Sequence, residues 1–316
     1  MILAGIDIGT NTLRLLIAET HGASFREIHS DRRITRLGQD LGRTGRLAPE
    51  AMERSLRALE GFCSSIRHHA VQHIAAVGTS ALREASNTRE FIHAVWEKTG
   101  LEIRVITGRE EARLTLLGVA HALGETAWTG AGPRAASLII DIGGGSTEFI
   151  IGRPGEGPSF SSLPLGAVHL TERFIKGDPP SAQELERMSA AIREGLAGLG
   201  SEWRAGGSCR CIGTAGTITT LAAVMQAMER YDPGKITGAV LTRAWVHDVI
   251  QRLGALTLEE RRSVRGLERG REDIILAGAV ITRELMDRFG CATLTVSDGG
   301  LREGIVLDLY DRTKAE

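Results

Sequence analysis

The sequence predicts an α/β protein of two mixed α/β domains that face each other across a cleft. Two observations carry this. An Asp and small-residue turn follows an apolar run twice: Asp7-Ile8-Gly9-Thr10-Asn11-Thr12 after Ile2-Leu3-Ala4-Gly5-Ile6, and Asp141-Ile142-Gly143-Gly144-Gly145-Ser146 after Leu138-Ile139-Ile140. Around each turn, strand-like runs come first and alternating helix-like and strand-like segments follow.

In chain order, apolar runs predict strands at 2–8, 13–19 and 25–34. Residues 48–68 read as a helix with Pro49 in its first turn, where a missing N–H costs nothing. A strand at 73–78, a helix at 88–98 and a strand at 101–106 follow. The helix at 109–121 opens after Thr107-Gly108 and carries Glu110 and Glu111 in its first turn, where the helix dipole favours anions. The segment Gly124 to Arg134 is rich in Gly and Pro and divides the chain into domains 1–124 and 125–316. The second half repeats the order: strands at 136–142, 147–152 and 159–165, helices at 168–175 and 181–196, a strand at 209–212 and a helix at 215–228. Helices at 242–253, 258–263 and 272–289, a strand at 293–296 and a helix at 301–310 close the chain. That last helix is placed either on the second domain or back on the first.

Composition narrows the function classes. The formal charge is −1, so bulk charge predicts no polyanion partner, and any phosphate site must come from local clustering. Aromatic residues are 4% of the chain, too few to stack the bases of single-stranded nucleic acid. No apolar stretch is long enough to span a bilayer, and the N-terminus is already a strand, so a cytoplasmic protein without a membrane partner is expected. Cys63, Cys209, Cys211 and Cys291 have no zinc spacing and are read as reduced side chains. Neither a His ligand pair nor a covalent nucleophile arrangement is visible.

Glycine and short hydroxyl residues in both turns let backbone N–H groups close on an anion. Aligning the turns on their aspartates sets Thr12 opposite Ser146 and Arg14 opposite Glu148. Within each copy the two positions, Thr12 and Arg14 or Ser146 and Glu148, are i and i+2 on the outgoing strand and share a face. One half thus offers a hydroxyl and a cation, the other a hydroxyl and an anion. Asp141 and Glu148 become a candidate Mg²⁺ pair, since that ion takes one or two carboxylates plus waters and phosphate oxygens. A third turn, Gly213-Thr214-Ala215-Gly216-Thr217, leads from a strand into a helix and offers free N–H groups. A fourth, Ser297-Asp298-Gly299-Gly300, has the same context. One carboxylate of Glu110-Glu111 is placed to orient a water. Arginines cluster at Arg32, Arg33, Arg36, Arg43 and Arg46, and Arg83 closes Thr79-Ser80-Ala81-Leu82-Arg83; guanidinium groups suit phosphate oxygens.

These motifs, with Arg36-Leu37-Gly38, Gly108-Arg109-Glu110-Glu111-Ala112-Arg113 and Ser297 to Gly304 in their order, resemble the exopolyphosphatase and guanosine-pentaphosphate phosphohydrolase family from end to end. That family belongs to the actin-like ATPase superfamily. The resemblance implies two ribonuclease-H-like domains around a cleft and hydrolysis of a terminal phosphate. It puts the water-activating glutamate on Glu111, the metal-linked acids on Asp141 and Glu148, and the phosphate loops on Gly9, Thr10, Asn11 and Thr12, on Gly143, Gly144, Gly145 and Ser146, and on Gly213, Thr214, Gly216 and Thr217. It puts the arginine that follows an Ala-Leu pair on Arg83. Arg14, Arg33 and Arg36 complete the expected substrate contacts.

The expected activity is release of orthophosphate from the end of inorganic polyphosphate, with Mg²⁺ as cofactor. Guanosine pentaphosphate hydrolysis at the same site is the nearest alternative. A kinase of the actin-like superfamily, or a non-catalytic nucleotide switch, is the alternative of another class. The expected partners are polyphosphate, guanosine pentaphosphate and a second copy of the chain, with no specific nucleic acid.

Overall fold

The computed structural model describes every residue except 22–23, 125–135, 154–155, 201–202, 204–208 and 316. The Gly124–Arg134 linker, past Gly124, lies outside the described residues. Two compact units result: Met1–His121 with Gly300–Glu316, and Ala122–Gly299. The closing helix therefore belongs to the first unit.

In the first unit β1 (Ile2–Ile8), β2 (Thr12–His21), β3 (Ser24–Ile34), β4 (His73–Gly78) and β5 (Ile103–Val105) form a sheet of order β3-β2-β1-β4-β5. The first three strands are antiparallel, and β4 and β5 run parallel to β1 and β4 respectively. Its helices are α1 (Leu41–Thr44), α2 (Pro49–His68), α3 (Ser80–Glu84), α4 (Thr88–Thr99) and α5 (Gly108–Leu123), plus the last helix, Leu301–Ala315. Alternation decides which sheet face meets which helices. Ile6, Ile8, Leu13 and Leu15 pack on Leu59 and Phe62 of α2 and Phe91 and Val95 of α4. Leu3, Leu16 and Ala18 point the other way, onto Val306, Leu309 and Tyr310 of the last helix. Leu114 of α5 joins Leu301 and Ile305 on this second face. Gly304 permits that packing: a Cβ there would lie 1.8 Å from the Leu114 carbonyl oxygen.

The second unit has β6 (Ala136–Ile142), β7 (Thr147–Gly152), β8 (Ser159–Leu163), β9 (Cys209–Thr214), β10 (Val240–Thr242) and β11 (Thr293–Val296), in the order β10-β11-β9-β6-β7-β8. Its helices are α6 (Ala167–Phe174), α7 (Ala182–Ala197), α8 (Ala215–Met225), α9 (Pro233–Ile236), α10 (Arg243–Gly254), α11 (Leu258–Arg261) and α12 (Ile275–Phe289); the last helix of the chain is α13. Leu138, Ile140, Ile142 and Phe149 face the core built with α7, α10 and α12. The intervening residues Ile139 and Asp141 take the opposite face.

Several expectations need correction. The strand expected at 101–106 is paired only over 103–105. The helix expected from residue 272 starts at Ile275, because Arg271 and Ile274 sit in turns, bonded to Glu268 O and Arg271 O. The short pieces α1, α3, α9 and β10 carry too few residues for a periodic signal. The cysteines are not all reduced: Cys211 and Cys291 form a disulfide, while Cys63 and Cys209 stay free. Residues 80 apart in sequence meet because β11, which follows Cys291, pairs with β9. Among the described residues no helix is long and apolar enough to cross a membrane.

Candidate active site

The first turn closes with Gly9 N–H donating to Thr12 O at 3.1 Å, and the second with Gly143 N–H donating to Ser146 O at 3.0 Å. Each turn is then gripped by the segment that follows the third strand of its sheet. Thr35 and Arg36 donate to Asn11 O, and Gly38 donates to Thr10 O. Ala167 donates to Gly143 O, and Val168 and His169 to Gly144 O. The grip consumes carbonyls. Among the described residues the N–H groups of Thr10, Asn11, Gly144 and Gly145 donate to no backbone acceptor. Both turns are thereby polarised, with carbonyls engaged and amides left for an anion.

Strand register sets the side chains beside each turn. Asp141 is the partner of Glu148, Glu148 of Ser162, and Asp141 of Thr214, so one row reads Ser162–Glu148–Asp141–Thr214. Glu148 is 1% exposed, and its Oε1 accepts from Ser146 Oγ at 2.8 Å and Ser162 Oγ at 2.7 Å. Every donor in the row is an oxygen, and two are carboxylates, which is a hard-cation set. No group of three or more His, Cys, Asp or Glu suited to a metal occurs among the described residues. The row therefore fits Mg²⁺, which keeps waters and substrate oxygens in its shell, better than a metal caged by protein alone.

The corresponding row of the first unit reads Arg32–Arg14–Asp7–Val77. Arg33 pairs with Leu13 and so takes the other face of the sheet. It is largely exposed and bonds Asp31 at 2.9 Å. Arg43 and Arg46 are exposed and paired with Asp40 and Glu90. The five-arginine cluster is thus not one patch: alternation turns Arg33 away from Arg32, and surface acids take Arg43 and Arg46. Arg36 adopts a positive φ of 52° and holds the first turn through its N–H.

The structure separates the two glutamates at the start of α5. Glu110 pairs with Arg104. Glu111 is buried and takes Arg83 Nη1 at 2.6 Å, while the same nitrogen donates to Ile106 O at 3.0 Å. The carboxylate is therefore fixed in place by an arginine itself anchored to the backbone.

In the third turn Ala215 takes a φ of 68°, a strained value for a residue with a Cβ, as α8 begins. Thr214 Oγ1 donates to Gly299 O at 3.0 Å, tying the third turn to the fourth. Gly216 lies flat against Arg271: a Cβ there would be 2.5 Å from its Nη2. The Glu268 carboxylate holds this buried guanidinium by its Nε at 2.7 Å. Ser162 and Gly166 have no motif of their own. Only strand register or a long-range approach brings them to the turns.

A family model described as the Ppx/GppA phosphatase family matches residues 16–313. The chain belongs to that family. Exopolyphosphatase 2 of Mycobacterium tuberculosis is 36% identical over 97% of this chain and 98% of its own length. The crystal structure of the Aquifex aeolicus member of the Ppx/GppA family is 35% identical, with a TM-score of 0.80 over 99% of this chain and 98% of that one. An exopolyphosphatase structure from Cytophaga hutchinsonii is 29% identical, with a TM-score of 0.87 over the same shares. The two α/β units are those of this family's actin-like ATPase fold.

Proposed function

We propose that the chain is an exopolyphosphatase, a phosphoanhydride hydrolase that releases orthophosphate from the end of inorganic polyphosphate. The observation that carries this is that each unit holds a gripped turn with its amides left for an anion, and that the turn of the second unit stands beside a row of two buried carboxylates. Family membership and the name of the Mycobacterium tuberculosis relative support the same reading.

The roles follow from the chemistry of each group. Backbone N–H groups of Thr10 and Asn11, of Gly144 and Gly145, and of the first turn of α8 hold phosphoryl oxygens. The hydroxyls of Thr12, Ser146, Thr214 and Thr217 line the same turns, and Arg14 adds a cation with no ion-pair partner among the described residues. Asp141 and Glu148 would hold Mg²⁺, which supplies charge neutralisation on phosphate oxygens. Glu111 orients the attacking water and takes its proton as the new P–O bond forms. The bond to the bridging oxygen breaks, and the shortened chain leaves with that oxygen. Arg83 fixes the Glu111 carboxylate. Phosphoryl transfer asks mainly for positioning and charge stabilisation, which suits a site without a covalent nucleophile. We place the enzyme in the cytoplasm and expect a homodimer.

The test is phosphate release from polyphosphates of defined length, run beside guanosine pentaphosphate and ATP. Polyphosphate is expected to be turned over fastest, and faster turnover of guanosine pentaphosphate would reassign the substrate. Glu111→Gln keeps the shape and loses the basicity, so kcat should fall about 100-fold or more with little change in KM. A variant with normal kcat refutes the role of Glu111.

A further inference from the structure

The first unit contains an open groove of about 700 Å³, of whose lining only Arg83 enters the mechanism above. It runs between the α3–α4 connection and the β5–α5 connection. Arg83 and Arg89 line it, with the hydroxyl residues Ser86, Thr88 and Thr107 and an apolar floor that includes the exposed Val105. Among the described residues no acidic side chain and no aromatic ring lines it.

One lining residue is already chemically engaged. Arg83 is a lining residue, and its Nη1 holds the Glu111 carboxylate at 2.6 Å. Arg89, in the first turn of α4, lines the same groove, exposed and with no ion-pair partner among the described residues. A cation is at the wrong end of a helix there, since the dipole favours anions in a first turn. The acid beside it, Glu90, is occupied by Arg46. The hydroxyls are taken by local bonds: Ser86 Oγ donates to Gly45 O, Thr88 Oγ1 to Leu82 O and Ala85 O, and Thr107 Oγ1 accepts from Glu110 N–H. These bonds fix the walls: Ser86 and Thr88 spend their hydroxyl protons on them, and Thr107, which accepts, keeps its own to donate. The guanidinium of Arg89 brings five N–H donors in a planar fork, the geometry that matches phosphoryl oxygens. Without an aromatic ring the groove has no stacking platform for a nucleobase.

We propose that this groove holds phosphoryl groups beyond the one under attack, and that Arg89 determines how strongly the enzyme prefers long chains. The proposal rests on the assignment of Glu111 to the reacting end. With the terminal group at Glu111, Arg83 marks the near end of the track and Arg89 the distal end.

The experiment is a charge ladder at an exposed position, where folding is not at stake: Arg89→Lys, Arg89→Gln and Arg89→Glu, with Arg57→Gln as a surface control. We would measure kcat and KM for tripolyphosphate and for a long polyphosphate, at low and high salt, and titrate long polyphosphate into each variant by calorimetry. The expected KM for the long chain rises about fivefold in Arg89→Gln and more in Arg89→Glu, stays near wild type in Arg89→Lys, and loses part of its salt dependence. Tripolyphosphate and kcat should change less than about twofold, since only the longer chain reaches Arg89. An unchanged KM across the ladder overturns the proposal, as does an equal rise on both substrates, or a loss in Arg89→Lys as large as in Arg89→Glu. The calorimetric arm keeps the two assignments apart. If Glu111→Gln keeps its turnover while Arg89→Gln still weakens binding of the long chain, the catalytic assignment has failed and the groove stands. If Glu111→Gln is inactive and the ladder is flat, the groove has failed alone.

Discussion

The β1–β2 hairpin of the first unit and the β6–β7 hairpin of the second are the same device with opposite electrical content. In both, an Asp at the end of the first strand pairs with the residue seven positions on: Asp7 with Arg14, and Asp141 with Glu148. In both, a Gly N–H closes the turn and a later segment takes the turn's carbonyls. What differs is the row of side chains beside the turn. On one side of Asp7 stand Arg14 and then Arg32, whereas on the same side of Asp141 stand Glu148 and then Ser162. The backbone makes both turns receptive to anions. On the proposed assignment the side chains decide whether phosphate would be met there directly by guanidinium or through a metal.

The grips can be broken separately, and the larger loss belongs to the second unit. A Cβ on Gly166 would lie 2.2 Å from Gly144 O and 2.3 Å from Gly145 C, both backbone atoms that cannot move without opening the turn. A Cβ on Gly38 would meet the Thr10 methyl at 2.3 Å, which a rotamer change can relieve. Gly166→Ala should therefore cost about 3 kcal/mol or more and abolish turnover, and Gly38→Ala about 1–2 kcal/mol with activity retained. Denaturant melts and phosphate release on the two variants check the order. Equal costs would show that the grips are not built differently.

The next effect concerns the cross-link that only the second unit has among the described residues. The Cys211–Cys291 bridge closes a loop of 80 residues that begins within β9, the strand that delivers Thr214. Cross-linking so long a loop restricts the unfolded chain and contributes about 2–4 kcal/mol. Reductant, or Cys291→Ser, should lower the thermal midpoint of the second unit and leave the first unit's protection against hydrogen exchange unchanged. A midpoint indifferent to reductant shows that the bridge adds no stability in solution.

The metal then separates the rows. Asp141→Asn and Glu148→Gln should each raise the Mg²⁺ concentration for half-maximal activity about 10-fold or more, because an amide removes charge from a hard-cation site. Arg14→Gln should leave that concentration unchanged and raise the substrate KM instead. Identical magnesium titrations for Arg14→Gln and Glu148→Gln would contradict the division of labour.

Legibility in the sequence followed the range of the interactions. Both turns, their aspartates and the hydroxyls after them are local, and a repeated motif showed them directly. Glu111 stood out from Glu110 only through family resemblance, because the contact that distinguishes them, Arg83, comes from 28 residues away. Arg33 was grouped with Arg14 because a cluster of charges in sequence carries no information about sheet faces. The pairing of β2 with β3 contains a register shift at Ile17/Ala18, so counting residues along the two strands could not have supplied the correct partner. The disulfide depends on β9 meeting β11, a pairing that crosses about a quarter of the chain, and no spacing rule anticipates it.

The smallest expected effect tests whether the row in the second unit works as a row. Ser162 lies on β8, away from every motif, yet its hydroxyl donates to Glu148 Oε1 at 2.7 Å, beside the bond from Ser146 at 2.8 Å. Two hydroxyls on one oxygen fix the carboxylate's rotation, and that sets which oxygen faces a cation. Removing one of them by Ser162→Ala leaves the charge and the other bond in place. The loss is that of one hydrogen bond to a charged group, about 1.5 kcal/mol, or roughly tenfold at most in the magnesium requirement. Ser162→Thr keeps the hydroxyl and should restore most of it. The readout is the magnesium titration rather than kcat at saturating metal, because a misoriented Glu148 is compensated by excess cation. Ser162→Ala with an unchanged titration means that Ser146 alone orients Glu148, and the functional row then shortens to Glu148, Asp141 and Thr214.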